Sequence, residues 1–388
     1  MKKLNTVISS RINRSIVLTE IHRNPNISRV QLADKTGLDR SAITQILNYL
    51  IDEGLVEEVE KGKPGSKGGR CPIFLQVRYD VHTVIAIEVG LDHAEAMIAN
   101  LQGHEIGRTR RNIRRGEPLL ELLTTILDEL SAKFPEPFRK AVVISIGAPG
   151  VIDREAGVVR ANMFHNWREV MVEEALQELY RKEVVVENDA NVGAVGELSK
   201  ISLKEGVDSL VYLFMRDLEG DAPLGVGGAL VLERKVWHGV NHFAGESSPS
   251  INESFKHAVS RLNKNERKAG ARNLQSLIDA AEGGSKEAAA ALQEMADRLG
   301  QLLCDLAQFI DPDAVMVSLS PHETTLGFWQ LIKSSYEKHL TPHDRQVRFL
   351  PPQVRDRAPL EGLVALGLDR IFVADGNETS ILFSGQIA

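Results

Sequence analysis

The hydrophobic pattern of this chain changes period once, near residue 80, and that change limits the fold more than any other feature. Before it, apolar residues recur at helical spacing in short blocks punctuated by Pro25, Gly37 and Gly54. After it, apolar runs such as Val84-Ile85-Ala86-Ile87 and residues 141–146 alternate with amphipathic stretches such as 119–134. Alternating strands and helices define an α/β body. The chain has 388 residues, and the roughly 300 that follow the change exceed what one hydrophobic core usually serves. The body should therefore divide into two lobes with a cleft. We place the domains at 1–78 and 79–388, with the lobes split near 200.

In the front end, Ile12, Ile16, Val17 and Ile21 predict a helix over 11–23. Asn24-Pro25-Asn26 ends it, because the residue before a proline avoids the helical region. Ser28 is a cap for a helix over 29–36, Gly37 supplies a permissive turn residue, and Asp39 caps a helix over 40–53. In that third helix Ile43, Ile46, Leu47 and Leu50 form the buried stripe, and Gly54 closes it. Two short helices joined through Gly37-Leu38, with a supporting helix before them, form a helix-turn-helix. The outward face of the third helix carries Arg40, Ser41, Thr44, Gln45 and Asn48, and Arg29 opens the second. Arginine reads guanine, amides read adenine, and hydroxyls serve bases or phosphates.

Leu55-Val56, a glycine-rich tip and Ile73-Phe74-Leu75 then read as a β-hairpin, which makes the unit a winged helix-turn-helix. The tip, Lys63-Pro64-Gly65-Ser66-Lys67-Gly68-Gly69-Arg70, is either a solvated loop or a basic arm. As an arm it would run along phosphates with Lys67 or place Arg70 in a narrow minor groove. Charge supports a polyanionic partner. Residues 1–78 hold 13 Lys+Arg against 8 Asp+Glu, whereas the whole chain is at −7. The alternative is a three-helix protein-interaction module.

Other classes are excluded on composition. Two cysteines, Cys71 and Cys304, build neither a disulfide framework nor a four-thiolate zinc site. No apolar run approaches a membrane span, and Arg11, Asn13 and Arg14 interrupt any secretory h-region. A reducing cytoplasm is the expected location.

Several motifs resemble those of ROK-family repressors. They are the run from Ile27-Ser28-Arg29 to Thr36-Gly37-Leu38, Gly68-Gly69-Arg70, Gly147-Ala148-Pro149-Gly150, Glu187-Asn188-Asp189-Ala190-Asn191 and Ala244-Gly245-Glu246. They occur in the family's order over nearly the whole chain. The resemblance implies a winged DNA-binding domain followed by a two-lobed, actin-like, sugar-kinase-like domain. It also implies a sugar pocket at Asn162, Asn188, Asp189 and Glu246, with Gly147 and Gly150 shaping its floor. Carboxylates and amides suit a polyol because each engages two hydroxyls. Asp189 stands where the family's kinases hold their catalytic base. Read from the residues alone, Asn188-Asp189 is a strand-to-helix turn with Asp189 as cap, and Glu246 a loop carboxylate.

Departures from the family's pattern are as informative. Kinases of the family open with Asp-x-Gly-x-Thr around ATP phosphates, but here the place reads Glu88-Val89-Gly90-Leu91-Asp92. Arg216-Asp217-Leu218-Glu219-Gly220-Asp221-Ala222-Pro223 interrupts the second phosphate loop, leaving Gly225-Val226-Gly227-Gly228. Ser318-Leu319-Ser320 stands at the third glycine cluster. A carboxylate near phosphate repels, and such loops do not cradle an anion. The family's zinc cysteines are missing after Glu246, where Ser247-Ser248-Pro249 follows, and His238, His242 and His257 lack thiolate companions.

The expectation is a sugar-responsive transcriptional regulator, a repressor of carbohydrate genes, that is not an enzyme. It should bind double-stranded operator DNA and a small sugar effector, act as a homodimer or higher even oligomer, and need neither zinc nor ATP. The alternatives are an active sugar kinase with an appended DNA-binding domain and a regulator that answers to a protein partner.

Overall fold

The computed structural model describes residues 2–61, 73–114, 116–162, 164–201, 205–216, 225–246, 251, 256, 273–340, 347–373 and 379–384. The front end comprises α1 (Lys2–Arg23), β1 (Ile27–Ser28), α2 (Arg29–Thr36), α3 (Arg40–Asp52), β2 (Val56–Lys61) and β3 (Ile73–Val77). Ser28 caps α2 in a reciprocal capping box with Gln31, and Asp39 caps α3 by accepting from the Ala42 amide. Gly37 turns between them at φ +69°, where a side chain would be strained. The three strands form an antiparallel sheet in the order β1-β3-β2. The winged helix-turn-helix is therefore present. Its tip, residues 62–72 including Lys63, Lys67 and Arg70, lies outside the described residues.

One five-stranded sheet follows. Its elements are β4 (Thr83–Val89), β5 (His93–Asn100), β6 (Glu105–Asn112), α4 (Leu119–Lys133), α5 (Pro135–Lys140) and β7 (Ala141–Ala148). Next come β8 (Val151–Asp153), β9 (Val158–Asn162), β10 (Trp167–Met171), α6 (Val172–Tyr180), β11 (Glu183–Asn188) and α7 (Asp189–Lys200). The sheet order is β11-β7-β4-β5-β6, with β11, β7 and β4 parallel. β8, β9 and β10 form a small separate antiparallel sheet.

The second five-stranded sheet has the order β14-β13-β12-β15-β16. It is built from β12 (Leu210–Arg216), β13 (Gly225–Leu232), β14 (Lys235–Val236), β15 (Ala314–Ser320) and β16 (Arg348–Leu350), with α8 (Leu274–Glu282), α9 (Lys286–Ile310) and α10 (His322–His339) packed beside it. Two sheets of this kind are the two expected lobes. Then α11 (Ala358–Asp369) and the short α12 (Ile381–Ser384) complete the order.

Three expectations are corrected. The first helix begins at Lys2, not at residue 11, because its early turns carry exposed Val7 and Ile8 and show no buried stripe. The apolar spacing over 170–180 reads as one helix, but Val170 and Met171 belong to β10 and the helix starts at Val172. The spacing of Leu292, Met295, Leu299, Leu302, Leu306 and Phe309 marks one long helix, but Phe309 is 92% exposed. The buried face of α9 instead runs through Ala288, Leu292, Met295, Leu299, Leu303 and Ala307.

Two contacts set the arrangement of the whole. First, α7 and α11 meet with almost no side chain between them. A Cβ on Gly362 would strike the Val192 carbonyl oxygen, and one on Gly196 the Ala358 carbonyl. Second, the chain end returns to the front. Phe372 stacks on His22 with ring centroids 3.8 Å apart, and the Ser380 amide donates to Ser15 Oγ at 2.8 Å. Arg11 Nη1 donates to the Ser384 carbonyl at 3.1 Å, and Phe383 packs edge-on to Tyr49. One apolar core consequently runs from Leu18, Leu47 and Leu50 through Phe372 and Phe383 to Leu363 and Val84. The sequence boundary near 78 is not a boundary in packing.

Gly362→Ala, which would favour an isolated helix by about 1 kcal/mol, should here destabilise the protein by roughly 1–3 kcal/mol because backbone must move; urea unfolding measures the sign. His22 gives a pH test. Burial and the charge of Arg23 lower its pKa from 6.5 to about 4, so the unfolded chain takes up a proton at a higher pH than the folded one. Stability should be full above pH 6.5 and fall as pH drops towards 4, an effect that His22→Gln removes from the Tm–pH profile.

Candidate functional site

On α3 the apolar stripe Ile43, Ile46, Leu47 and Leu50 faces inward, as its spacing requires, which leaves Arg40, Ser41, Thr44, Gln45 and Asn48 on the opposite, exposed face. Local bonds already engage two hydroxyls. Ser41 Oγ donates to Asp39 Oδ1 at 2.6 Å, and Thr44 Oγ1 donates to the Arg40 carbonyl at 2.8 Å. The Ser41 hydroxyl and the Ala42 amide hold the Asp39 carboxyl below its ordinary range. Arg29 is half-buried and donates to Glu58 on β2 at 2.8 Å, so it ties α2 to the wing. Arg40, Gln45 and Asn48 are the long polar side chains that this face presents to solvent.

The second site lies where the strand ends of the two sheets converge. The β7 strand ends in a turn at Gly150, whose φ of +105° and contact with the Ala161 carbonyl admit no side chain. Asn162, only 5% exposed, donates through Nδ2 to the Pro149 carbonyl at 2.8 Å and accepts from the His165 amide at 2.6 Å. Asn188 donates to the Gly150 carbonyl at 2.9 Å, and its Oδ1 accepts from the Ala190 and Asn191 amides. Asn188, not Asp189, is therefore the N-cap of α7. Both asparagines hold the loop that shapes the cleft floor.

That frees Asp189 from the capping role. Its Oδ1 accepts only from the adjacent Ala190 amide among the hydrogen bonds described. Burial pushes its carboxyl up against the pull of Arg216, and the charge of Glu88 adds to the rise. Glu246 keeps part of its surface in water, yet partial burial of its carboxyl and the charge of Asp189 push it up. The charge of Asp189 thus reaches the Glu246 carboxyl.

The sequence did not assign the contacts that other groups make here. Glu187 is 2% exposed and bonds His238 Nε2 at 2.8 Å and Asn191 Nδ2 at 2.9 Å, with Arg154 at 3.6 Å. Burial raises its carboxyl, but these donors outweigh that and leave it below the ordinary range. His238 is a hydrogen-bond partner of this buried carboxylate. His242 lies 3.7 Å from Asp153, and His257 is outside the described residues. His165 stacks on Trp167 at 4.2 Å, lies 3.3 Å from the Gly90 carbonyl, and is kept neutral by burial. Asp92 is bonded to His93 Nδ1 at 2.7 Å.

Among the described residues, no cluster of three or more His, Cys, Asp or Glu is arranged to hold a metal ion, and no helix is long and apolar enough to cross a membrane. The segments after Glu246, residues 247–250 and 252–255, lie outside the described residues.

A winged reader joined to a two-sheet cleft defines a DNA-binding, ligand-sensing class of protein. Comparison with known proteins agrees. The ROK family matches residues 84–248 and 252–370, and the MarR family matches residues 11–65. This chain belongs to the ROK family, and with its winged helix-turn-helix it has the architecture of that family's transcriptional regulators. It is 29% identical over 346 residues to the xylose repressor of Caldicellulosiruptor bescii, covering 81% of this chain and 84% of the relative. It is 24% identical to the xylose repressor of Bacillus subtilis, covering 92% and 95%. The crystal structure of a ROK family transcriptional regulator, a homologue of the E. coli MLC protein, superposes with TM-score 0.72 at 18% identity over 92% of this chain and 96% of the other.

His238→Ala should lower stability by about 1–3 kcal/mol, because it leaves the buried Glu187 carboxylate short of a donor. Thermal unfolding at neutral pH checks this, and an unchanged Tm would show that water replaces the imidazole.

Proposed function

We propose that this protein is a transcriptional repressor in which residues 1–78 read operator DNA and residues 79–388 sense a neutral sugar. In the ligand-free state α3 lies in the major groove, with Arg40, Gln45 and Asn48 at base edges, and Ser41 and Thr44 beside them. Arg29 sets the angle of the wing, whose Lys67 and Arg70 follow phosphates. Asp189 and Glu246 accept sugar hydroxyls over a floor made by Gly150 and fixed by Asn162 and Asn188. The protein acts as a homodimer or a higher even oligomer, because helix-turn-helix readers bind paired half-sites. The effector is D-xylose or a close aldopentose, a reading supported by relatives named xylose repressors that span most of this chain.

The observation that carries the proposal is the continuity of packing between cleft and reader. The helix that begins at Asn188-Asp189 packs on α11, and the chain beyond α11 packs on α1 and against Tyr49 of α3. A ligand shifts such an arrangement only by its differential affinity for two states.

Arg40→Ala and Gln45→Ala should each cost roughly 1–3 kcal/mol of operator affinity and relax base preference, while Lys67→Ala should weaken all sequences alike and reduce the salt slope by about 1. D-xylose at ~100 times its dissociation constant should stabilise the protein by about 2.7 kcal/mol. Asp189→Ala should abolish that shift and the release of operator, leaving ligand-free DNA affinity near wild type. Loss of DNA affinity together with stability would assign Asp189 to the scaffold instead.

A further inference from the structure

The junction of the two lobes holds one guanidinium that the sugar reading leaves unused. Arg216 is the last residue of β12, in the second sheet, and its side chain is 14% exposed. Its Nη2 donates to Glu88 Oε1 on β4, in the first sheet, and Glu88 is 5% exposed. The guanidinium carbon lies 5.0 Å from the centre of the Phe214 ring. Against Gly90 the approach is so close that a Cβ there would come 2.9 Å from Arg216 Nη1. Asp189 shares this corner. Its Oδ1 would lie 4.0 Å from a Cβ on Gly227, and Gly227 sits on β13 two residues from Gly225, the ladder partner of Arg216. Asp92, on the turn after β4, also acts electrostatically on Arg216.

One cation therefore bonds Glu88 on β4, while the charges of Asp92 on the turn that follows and of Asp189 at the head of α7 also act on it. Charges withdrawn from water persist only when paired. Remove the guanidinium, and Glu88 and Asp189 become like charges in a region of reduced dielectric, where their repulsion is strengthened. The pair also spans the sheets, so the lobes cannot part without separating it.

We propose that Arg216 is a positioning residue of the cleft, bridging the second sheet to Glu88 of the first beside Asp189 and so holding both the setting of the sugar-facing carboxylate and the lobe separation. The proposal rests on the sugar reading for its effect on affinity, but not for its effect on stability, and the two failures can be told apart.

The test uses the full-length protein with Arg216→Ala, Arg216→Lys, Arg216→Met and the double variant Glu88→Gln/Arg216→Met. In Arg216→Ala, D-xylose affinity measured by calorimetry should fall at least about tenfold, equivalent to roughly 1.4 kcal/mol. Guanidinium chloride at low millimolar concentration should restore affinity and raise Tm in this variant, whereas sodium chloride at equal ionic strength should do neither. The wild type should show no gain. Arg216→Lys should retain part of the affinity, since it keeps the charge but not the fork. The double variant should be more stable than Arg216→Met, because it removes the orphaned carboxylate along with the cation. If Arg216→Ala does not fold, that double-to-single comparison decides.

Wild-type xylose affinity in Arg216→Ala, with no guanidinium effect, would overturn the proposal. So would a double variant no more stable than Arg216→Met. If the wild type binds no D-xylose at all, the sugar reading fails. The guanidinium-dependent Tm of Arg216→Ala then still decides whether the bridge exists.

Discussion

The architecture depends on the approach of α7 to α11. Glycine on each side, Gly196 and Gly362, lets the backbones touch, with Val192 and Leu363 closing over Gly147 at the edge of the contact. From that seam α7 reaches both sheets. Its Val192 joins the core of the first lobe and the front end, and its Ala190, Ala194 and Leu198 join a core with Tyr212 and Phe214 of the second. A packed core responds to strain by rearranging in discrete steps, not by yielding smoothly. A helix pinned by backbone contact between two lobes is therefore a stiff member, and whatever moves its N-terminus moves α11.

The same seam explains why the DNA-reading unit is not an independent bead on a linker. Beyond α11 the chain places Phe372 on His22, and Ser380 and Ser384 on Ser15 and Arg11. Arg14 lies over the Tyr49 ring at 3.6 Å, and Tyr49 belongs to α3 and meets Phe383. Contacts of this kind form a continuous physical connection. Continuity alone does not establish coupling, which needs two populated arrangements that both sites bias. The buried and unpartnered Nδ1 of His22 marks the weak point of that connection, because protonation places a charge where no acceptor waits.

Legibility in the sequence followed the range of the interactions. Caps and turns act within four residues, so Ser28, Gly37 and Asp39 were readable as the start and stop signals they are. Long apolar strands were equally plain. The small sheet β8–β10 was not, since its strands are three to five residues long and carry Arg160, Arg168 and Glu169. Asn188 and Asp189 can both cap a helix, and only the backbone phase at the strand end decides between them. Phe309 misled because in a helix of 25 residues the buried face narrows towards the end, leaving Leu302 and Leu306 half-buried and Phe309 outside. The bridge from Arg216 to Glu88 joins residues 128 apart in sequence, so no local pattern announces it.

The charge inventory of the cleft bears on what class of ligand it would admit. Glu88, Asp92 and Asp189 act electrostatically on Arg216, Glu246 feels the charge of Asp189, and Glu187 is held apart by His238, Asn191 and Arg154. Arg216 is already engaged with Glu88, and Arg154 lies 3.6 Å from Glu187. Among the described residues, an incoming phosphate would meet these carboxylates with Arg216 already bonded to Glu88. At an effective dielectric near 20, two like unit charges about 4 Å apart repel by roughly 4 kcal/mol, enough to cancel several good hydrogen bonds. A neutral polyol meets no such opposition. Its hydroxyls donate, and carboxylates are acceptors with room for two donors each. Among the described residues, charge therefore opposes a phosphate ester or a nucleotide more than an uncharged polyol.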